Sequence, residues 1–157
     1  MPHSIADWAT ILGLVITFVN LVLIARTKRQ IDVAVRSARF DFSKGALVAH
    51  CNDAISALSA LRLMTRNAQW RDASDKCQDV RRAILQAKAA AGAIDLPEKE
   101  IGRLIKVLTQ ISTVEQQAEL ALRDSKRVSV DAILKILVKQ NENVTTVLSV
   151  AGATYND

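Results

Sequence analysis

The stretch WATILGLVITFVNLVLIA, residues Trp8 to Ala25, contains no Asp, Glu, Lys or Arg. A helix rises 1.5 Å per residue, so roughly 20 apolar residues cross a hydrocarbon core of about 30 Å. Ile5 and Ala6 extend the run on its N-terminal side, and Ser4 with Asp7 three positions on fits a helix-opening capping box. The run therefore predicts a transmembrane anchor. A buried core helix and a cleaved signal peptide are the alternatives. A signal peptide carries its positive charge before the apolar stretch. Here the order is reversed: Asp7 precedes the run, and Arg26, Lys28 and Arg29 follow it.

That charge order also predicts an orientation, because Lys and Arg stay on the cytoplasmic side. Residues before Trp8 are then outside, the periplasm in a bacterium, and residues after Arg26 are in the cytoplasm, anchored at the inner membrane. Between Arg26 and Lys44 stand six basic residues (Arg26, Lys28, Arg29, Arg36, Arg39, Lys44) against Asp32 and Asp41. Most of the formal net charge of +5 thus sits beside the apolar run. Arg26, Lys28 and Arg29 are expected to contact anionic lipid headgroups, each nearby charge contributing about 1 kcal/mol. A nucleic-acid partner is disfavoured, because the basic residues lack interleaved aromatics.

Within the run the small and polar residues are ordered. Ala6, Thr10, Gly13, Thr17, Asn20 and Thr27 recur at helical spacing, with Ile24 completing a seam on one face. Small residues let helix backbones approach, and an amide in hydrocarbon needs a hydrogen-bonding partner. Thr10, Gly13, Thr17 and Asn20 are therefore expected to form a self-association face, with the lining of a polar path as the alternative. Leu12, Val15, Ile16, Val19, Val22 and Leu23 suit lipid. The seam continues through Ile31, Val35, Ala38 and Phe42, predicting one long helix that ends or bends around Asp41–Gly45.

The remainder of the 157 residues reads as helices with short connections: aromatics are only 4%, with five Gly and two Pro. A β-sandwich would need regular turn signals. Helices are predicted at about 44–67, 70–91, 97–122 and 129–153. Their expected inward residues are Leu47, Cys51, Ile55, Leu58, Leu61 and Met64; Ala73, Cys77, Val80, Ile84 and Ala87; Ile101, Leu104, Ile105, Leu108, Ile111, Val114, Ala118 and Leu122; and Ile133, Ile136, Leu137, Val144, Val147, Leu148 and Ala151. The second of the five helices has few charges but holds His50, Asn52, Ser56 and Ser59, so a bundle helix is preferred to a second membrane pass. Asp95 is a candidate N-cap ahead of Pro97, and Ser129 is another. The fold class is all-α, a transmembrane helix (residues 1–26) continuing through a basic juxtamembrane helix (27–44) into a cytoplasmic four-helix-like bundle (45–157).

Catalytic constellations are not visible. There is no glycine-rich phosphate loop, no H-E-x-x-H and no Glu-x-x-His pair. His50 and Cys51 are adjacent, and adjacent helical positions diverge by about 100°. Cys51 and Cys77 fit reduced core thiols. Glu115 with Glu119, and Asp75 with Asp79, fit a solvated surface better than a metal site. The expectation is a chain with no catalytic residue, metal or cofactor.

The layout — the anchor Trp8–Ala25, the basic edge Arg26–Arg29 and the bundle Lys44–Ala153 — resembles the small membrane effectors that accompany RNA-targeting CRISPR systems. The resemblance implies a bundle like that of the HEPN ribonucleases and assembly into membrane rings. HEPN ribonucleases carry an Arg, four to six intervening residues and then a His. Here Arg39 is the nearest Arg before His50, so the resemblance implies a nuclease-dead, structural version. The expected function is a homo-oligomer that perturbs or gates the membrane, as an antiviral effector. The alternative is a membrane-tethered adaptor whose bundle recruits a cytoplasmic protein partner.

Overall fold

A computed structural model describes residues 5–124 and 128–153; within the first helix the side chains of residues 5–11, 13 and 15 lie outside the described residues. Among the described residues four helices follow one another: α1 (Ile5–Arg66), α2 (Trp70–Ala93), α3 (Glu98–Arg123) and α4 (Val130–Ala153). The described residues contain no strand. The all-α class read from the sequence is thus the class observed. The chain forms two compact units, Met1–Arg39 and Phe40–Asp157.

The predicted break around Asp41–Gly45 does not occur, and two expected helices are one. Glycine inside a helix costs about 0.5–1 kcal/mol relative to alanine. The residues after it repay that cost, since Leu47 and Cys51 bury completely a few positions on.

The second unit has a core drawn from all four helices. Apart from Ala57 and Ala83, which are buried beside the stripe, its buried helical positions alternate at spacings of four and three. On α1 they are Leu47, Cys51, Ala54, Leu58, Leu61 and Thr65; on α2, Trp70, Ala73, Cys77, Val80, Ile84, Ala87 and Ala91. On α3 they are Glu100, Leu104, Val107, Ile111, Val114, Ala118 and Ala121; on α4, Ile133, Leu137, Gln140, Val144, Val147 and Ala151. This is the heptad stripe of a coiled-coil-like bundle. Because the stripe is narrow, some expected core residues fall outside it: Ile105 is 46% exposed and Leu122 54%. Ile55, Met64, Ile101, Leu108, Ile136 and Leu148 pack at its edge, half-buried. The burial of Leu47, Ala54, Leu58 and Leu61 among the other helices agrees with a bundle helix over this stretch.

The turns also differ in detail from expectation. Asp95 does not cap α3, whose N-cap position is Pro97. Asp95 has φ 50° and closes α2, where the Leu96 N–H donates to the Ala91 carbonyl at 3.2 Å. Ala68, with φ 54°, closes α1 in the same way, and the Gln69 N–H reaches the Met64 carbonyl at 2.9 Å. Ser129 does cap α4: its hydroxyl oxygen accepts from the Ala132 N–H at 3.3 Å.

Candidate functional site

The described residues of the first unit form one helix segment, the N-terminal part of α1. Every described side chain from Leu12 to Arg39 is exposed, including Leu14, Ile16, Phe18, Leu21, Leu23 and Ile24. Isolated exposed apolar residues are ordinary, but a helix apolar on all faces needs a surrounding that water does not supply. Among the described residues no helix is long and apolar enough to cross a membrane. Trp8–Ile11, Gly13 and Val15 of the apolar run belong to the side chains outside the described residues. So do the expected roles of Ser4, Ala6, Asp7, Thr10 and Gly13.

The described part of the seam is distinctive. A shallow furrow runs along α1 between Asn20, Leu23, Ile24, Thr27, Lys28 and Ile31. The Thr27 hydroxyl donates to the Leu23 carbonyl at 2.9 Å, so its polarity is satisfied within its own turn. Thr17 also has an interaction partner. The Asn20 amide has no hydrogen-bond partner among the described residues. Two donors and an acceptor are therefore left open in an apolar stretch.

At the C-terminal edge of the run, Arg26, Lys28 and Arg29 are exposed, and none of them is in an ion pair among the described residues. Their charges are available to an external anion.

The bundle offers polar contacts of a different kind. The Arg81 guanidinium donates to Ser112 Oγ at 3.2 Å and to Glu115 Oε2, tying α2 to α3. Glu115, expected as solvated surface, is only 16% exposed and is held by this clasp. Asp79 accepts from Lys76 at 2.9 Å and lies 3.9 Å from Arg82. The hydrogen bond and charge of Lys76 hold its carboxyl below the usual carboxylate range. His50, half-buried, has Nδ1 3.8 Å from Asp53 and lacks a hydrogen bond. Buried Glu100 sits 3.0 Å from Arg103 Nε without hydrogen-bond alignment.

Both cysteines are free and buried. Burial pushes the Cys51 thiol up to about 11. Burial, with the Glu115 charge adding to it against Arg81, pushes Cys77 up to about 12. Reactive thiols are depressed toward neutrality, so both are poor nucleophiles. Among the described residues no group of three His, Cys, Asp or Glu side chains converges as a metal site. Sequence reasoning missed the Arg81 clasp and buried Gln140, whose side-chain oxygen accepts from Asn143 at 3.0 Å. Gln140 falls on the heptad stripe of α4, a signal that could have found it.

The uncovered apolar stretch, its unpartnered amide and its unpaired basic edge are the features of this chain that call for something outside it. No family model, curated protein or solved structure matches the chain.

Proposed function

We propose that this chain is a non-enzymatic, single-pass inner-membrane protein that oligomerises through its apolar helix segment and perturbs or gates the membrane. The carrying observation is the exposure of every described apolar side chain from Leu12 to Ile24, terminated by the unpaired Arg26, Lys28 and Arg29. Lipid covers such a helix, and a basic edge fixes it at an anionic headgroup layer. On this reading residues before Trp8 are periplasmic and the bundle is cytoplasmic. A role as an antiviral effector, akin to the membrane proteins of RNA-targeting CRISPR systems, rests on the shared layout of anchor, basic edge and helical bundle.

The adaptor reading is favoured by Ile105, Leu120 and Leu122, exposed apolar residues on α3 that a partner protein could cover. Two measurements test these readings, the first the topology common to both and the second the choice between them. In intact cells, His3→Cys should label with a membrane-impermeant reagent, and Lys139→Cys only after lysis; the reverse pattern overturns the topology. In liposomes with an anionic lipid fraction, the purified chain should release an entrapped dye, with Asn20→Leu and Gly13→Leu reducing release. A monomeric chain that releases nothing moves the adaptor ahead.

A further inference from the structure

The Asn20 face does not stop where the basic residues begin. Asn20, Ile24, Thr27, Ile31, Ala34 and Ala38 alternate at spacings of four and three, the pattern of a two-helix seam. Arg26, Arg29, Asp32, Arg36 and Arg39 all fall on the opposite side of the same segment, and Lys28 alone borders the seam. Ile31 and Val35 remain exposed on the uncharged side. A helix that only anchors has no reason to segregate its charges beyond the basic edge.

We infer that residues 20–38 form one continuous parallel interface with a second copy of this chain, crossing from hydrocarbon into water. The inference rests on the membrane reading above and gives its self-association a direction and an extent. Lipid could cover Ile24 but not the stripe from Ile31 to Ala38, which lies past the basic edge. A water-soluble protein could cover Ile31 but could not reach Asn20. A second copy inserted in the same direction presents the same stripe at both depths. It also supplies what Asn20 lacks: a side-chain amide is both donor and acceptor, so two Asn20 side chains pair with each other. The pairing leaves the Arg side chains outward, toward headgroups and water, and brings no two of them across the seam. An antiparallel pair would break both matches.

Single cysteines in the full chain, in native membranes, test this. Ile31→Cys, Ala34→Cys and Ala38→Cys should oxidise to disulfide-linked dimers severalfold more completely than Arg29→Cys, Val33→Cys and Arg36→Cys. The unaltered chain is the blank, since Cys51 and Cys77 are buried. Ala34→Arg, at an exposed position, should shrink the detergent-solubilised particle while leaving the chain resistant to carbonate extraction. A flat pattern, a maximum at positions 29, 33 and 36, or an unchanged particle in Ala34→Arg overturns the interface while membrane retention upholds the anchor. A chain that carbonate strips from the membrane overturns both.

Discussion

Leu23 and Leu58 belong to the same helix, yet Leu23 is 54% exposed and Leu58 is fully buried. The difference lies in what surrounds each in sequence. Around Leu58 the fully buried residues occupy one stripe, and the positions between them include the polar residues Asp53, Ser56, Ser59 and Arg62. A stripe of that width is buried by neighbouring helices of the same chain. Around Leu23 every position from Leu21 to Ile24 is apolar, and no neighbouring helix can cover all sides at once. The two regions show that apolar content alone does not decide burial; angular width does.

The sharpest way to break this contrast is to shorten both leucines. Leu58→Ala should destabilise the bundle by about 2–5 kcal/mol, through lost burial and the cavity left behind. Leu23→Ala should leave thermal unfolding of the bundle unchanged within error. Equal losses in calorimetry or denaturant titration would mean that Leu23 has cover within the chain.

The clasp between α2 and α3 comes next. Arg81→Ala leaves a half-buried Glu115 without its cation and should cost about 1–3 kcal/mol in the same measurement. Arg29→Ala, at an exposed residue in no ion pair among the described residues, should cost nothing there and should weaken binding to anionic vesicles.

The thiols sharpen the picture of the buried side. Cys51 and Cys77 are raised from about 9 when unfolded to about 11 and about 12 when folded. The unfolded chain therefore gives up these protons first. Their contribution to stability is complete below pH 9 and falls as pH rises through about 12. Alkylation at pH 8 should run at least about a hundredfold slower than for an ordinary thiol, and should report unfolding. Fast labelling of the folded chain would show the core to be open.

The smallest effects concern two residues placed against their backbone preference. Gly45 lies inside α1 with nothing within 4 Å of where a Cβ would sit, and Ala68 occupies a turn at φ 54°. Gly45→Ala and Ala68→Gly should each stabilise the chain, by about 0.5–1 kcal/mol. A loss from Gly45→Ala would reveal a break in α1 that the structure does not have.

These two residues also show why parts of the fold were hard to read from sequence. The helices and most of their inward faces were legible because apolar spacing is strong and repeated, as in Ala73, Cys77, Val80, Ile84 and Ala87. The helix end expected near Gly45 does not occur, because glycine weakens a helix locally while burial of Leu47 and Cys51 holds it. Asp95 was misplaced because the same residue type favours helix starts and left-handed turns; its φ decides between them. Glu115 looked like surface because its partner lies on another helix, and pairing across helices leaves no local trace. Of the candidate site, the run and its basic edge were plain in the sequence. That Thr27 answers its own hydroxyl while Asn20 does not emerges only from the coordinates.

The Arg81 clasp has one more consequence. The stripes of α2 and α3 contain many near-equivalent steps: Ala83, Ala87 and Ala91 on one, Val107, Val114, Ala118 and Ala121 on the other. Helices with such repetitive teeth can mesh one notch out of place, trading each aliphatic layer for a similar one. A slip of one heptad along α3 would set the guanidinium against Leu108 or Leu122 instead of Glu115. A mis-threaded bundle would thus lose the contacts of Arg81 with Ser112 and Glu115, so this clasp favours one alignment among those the aliphatic layers make similar.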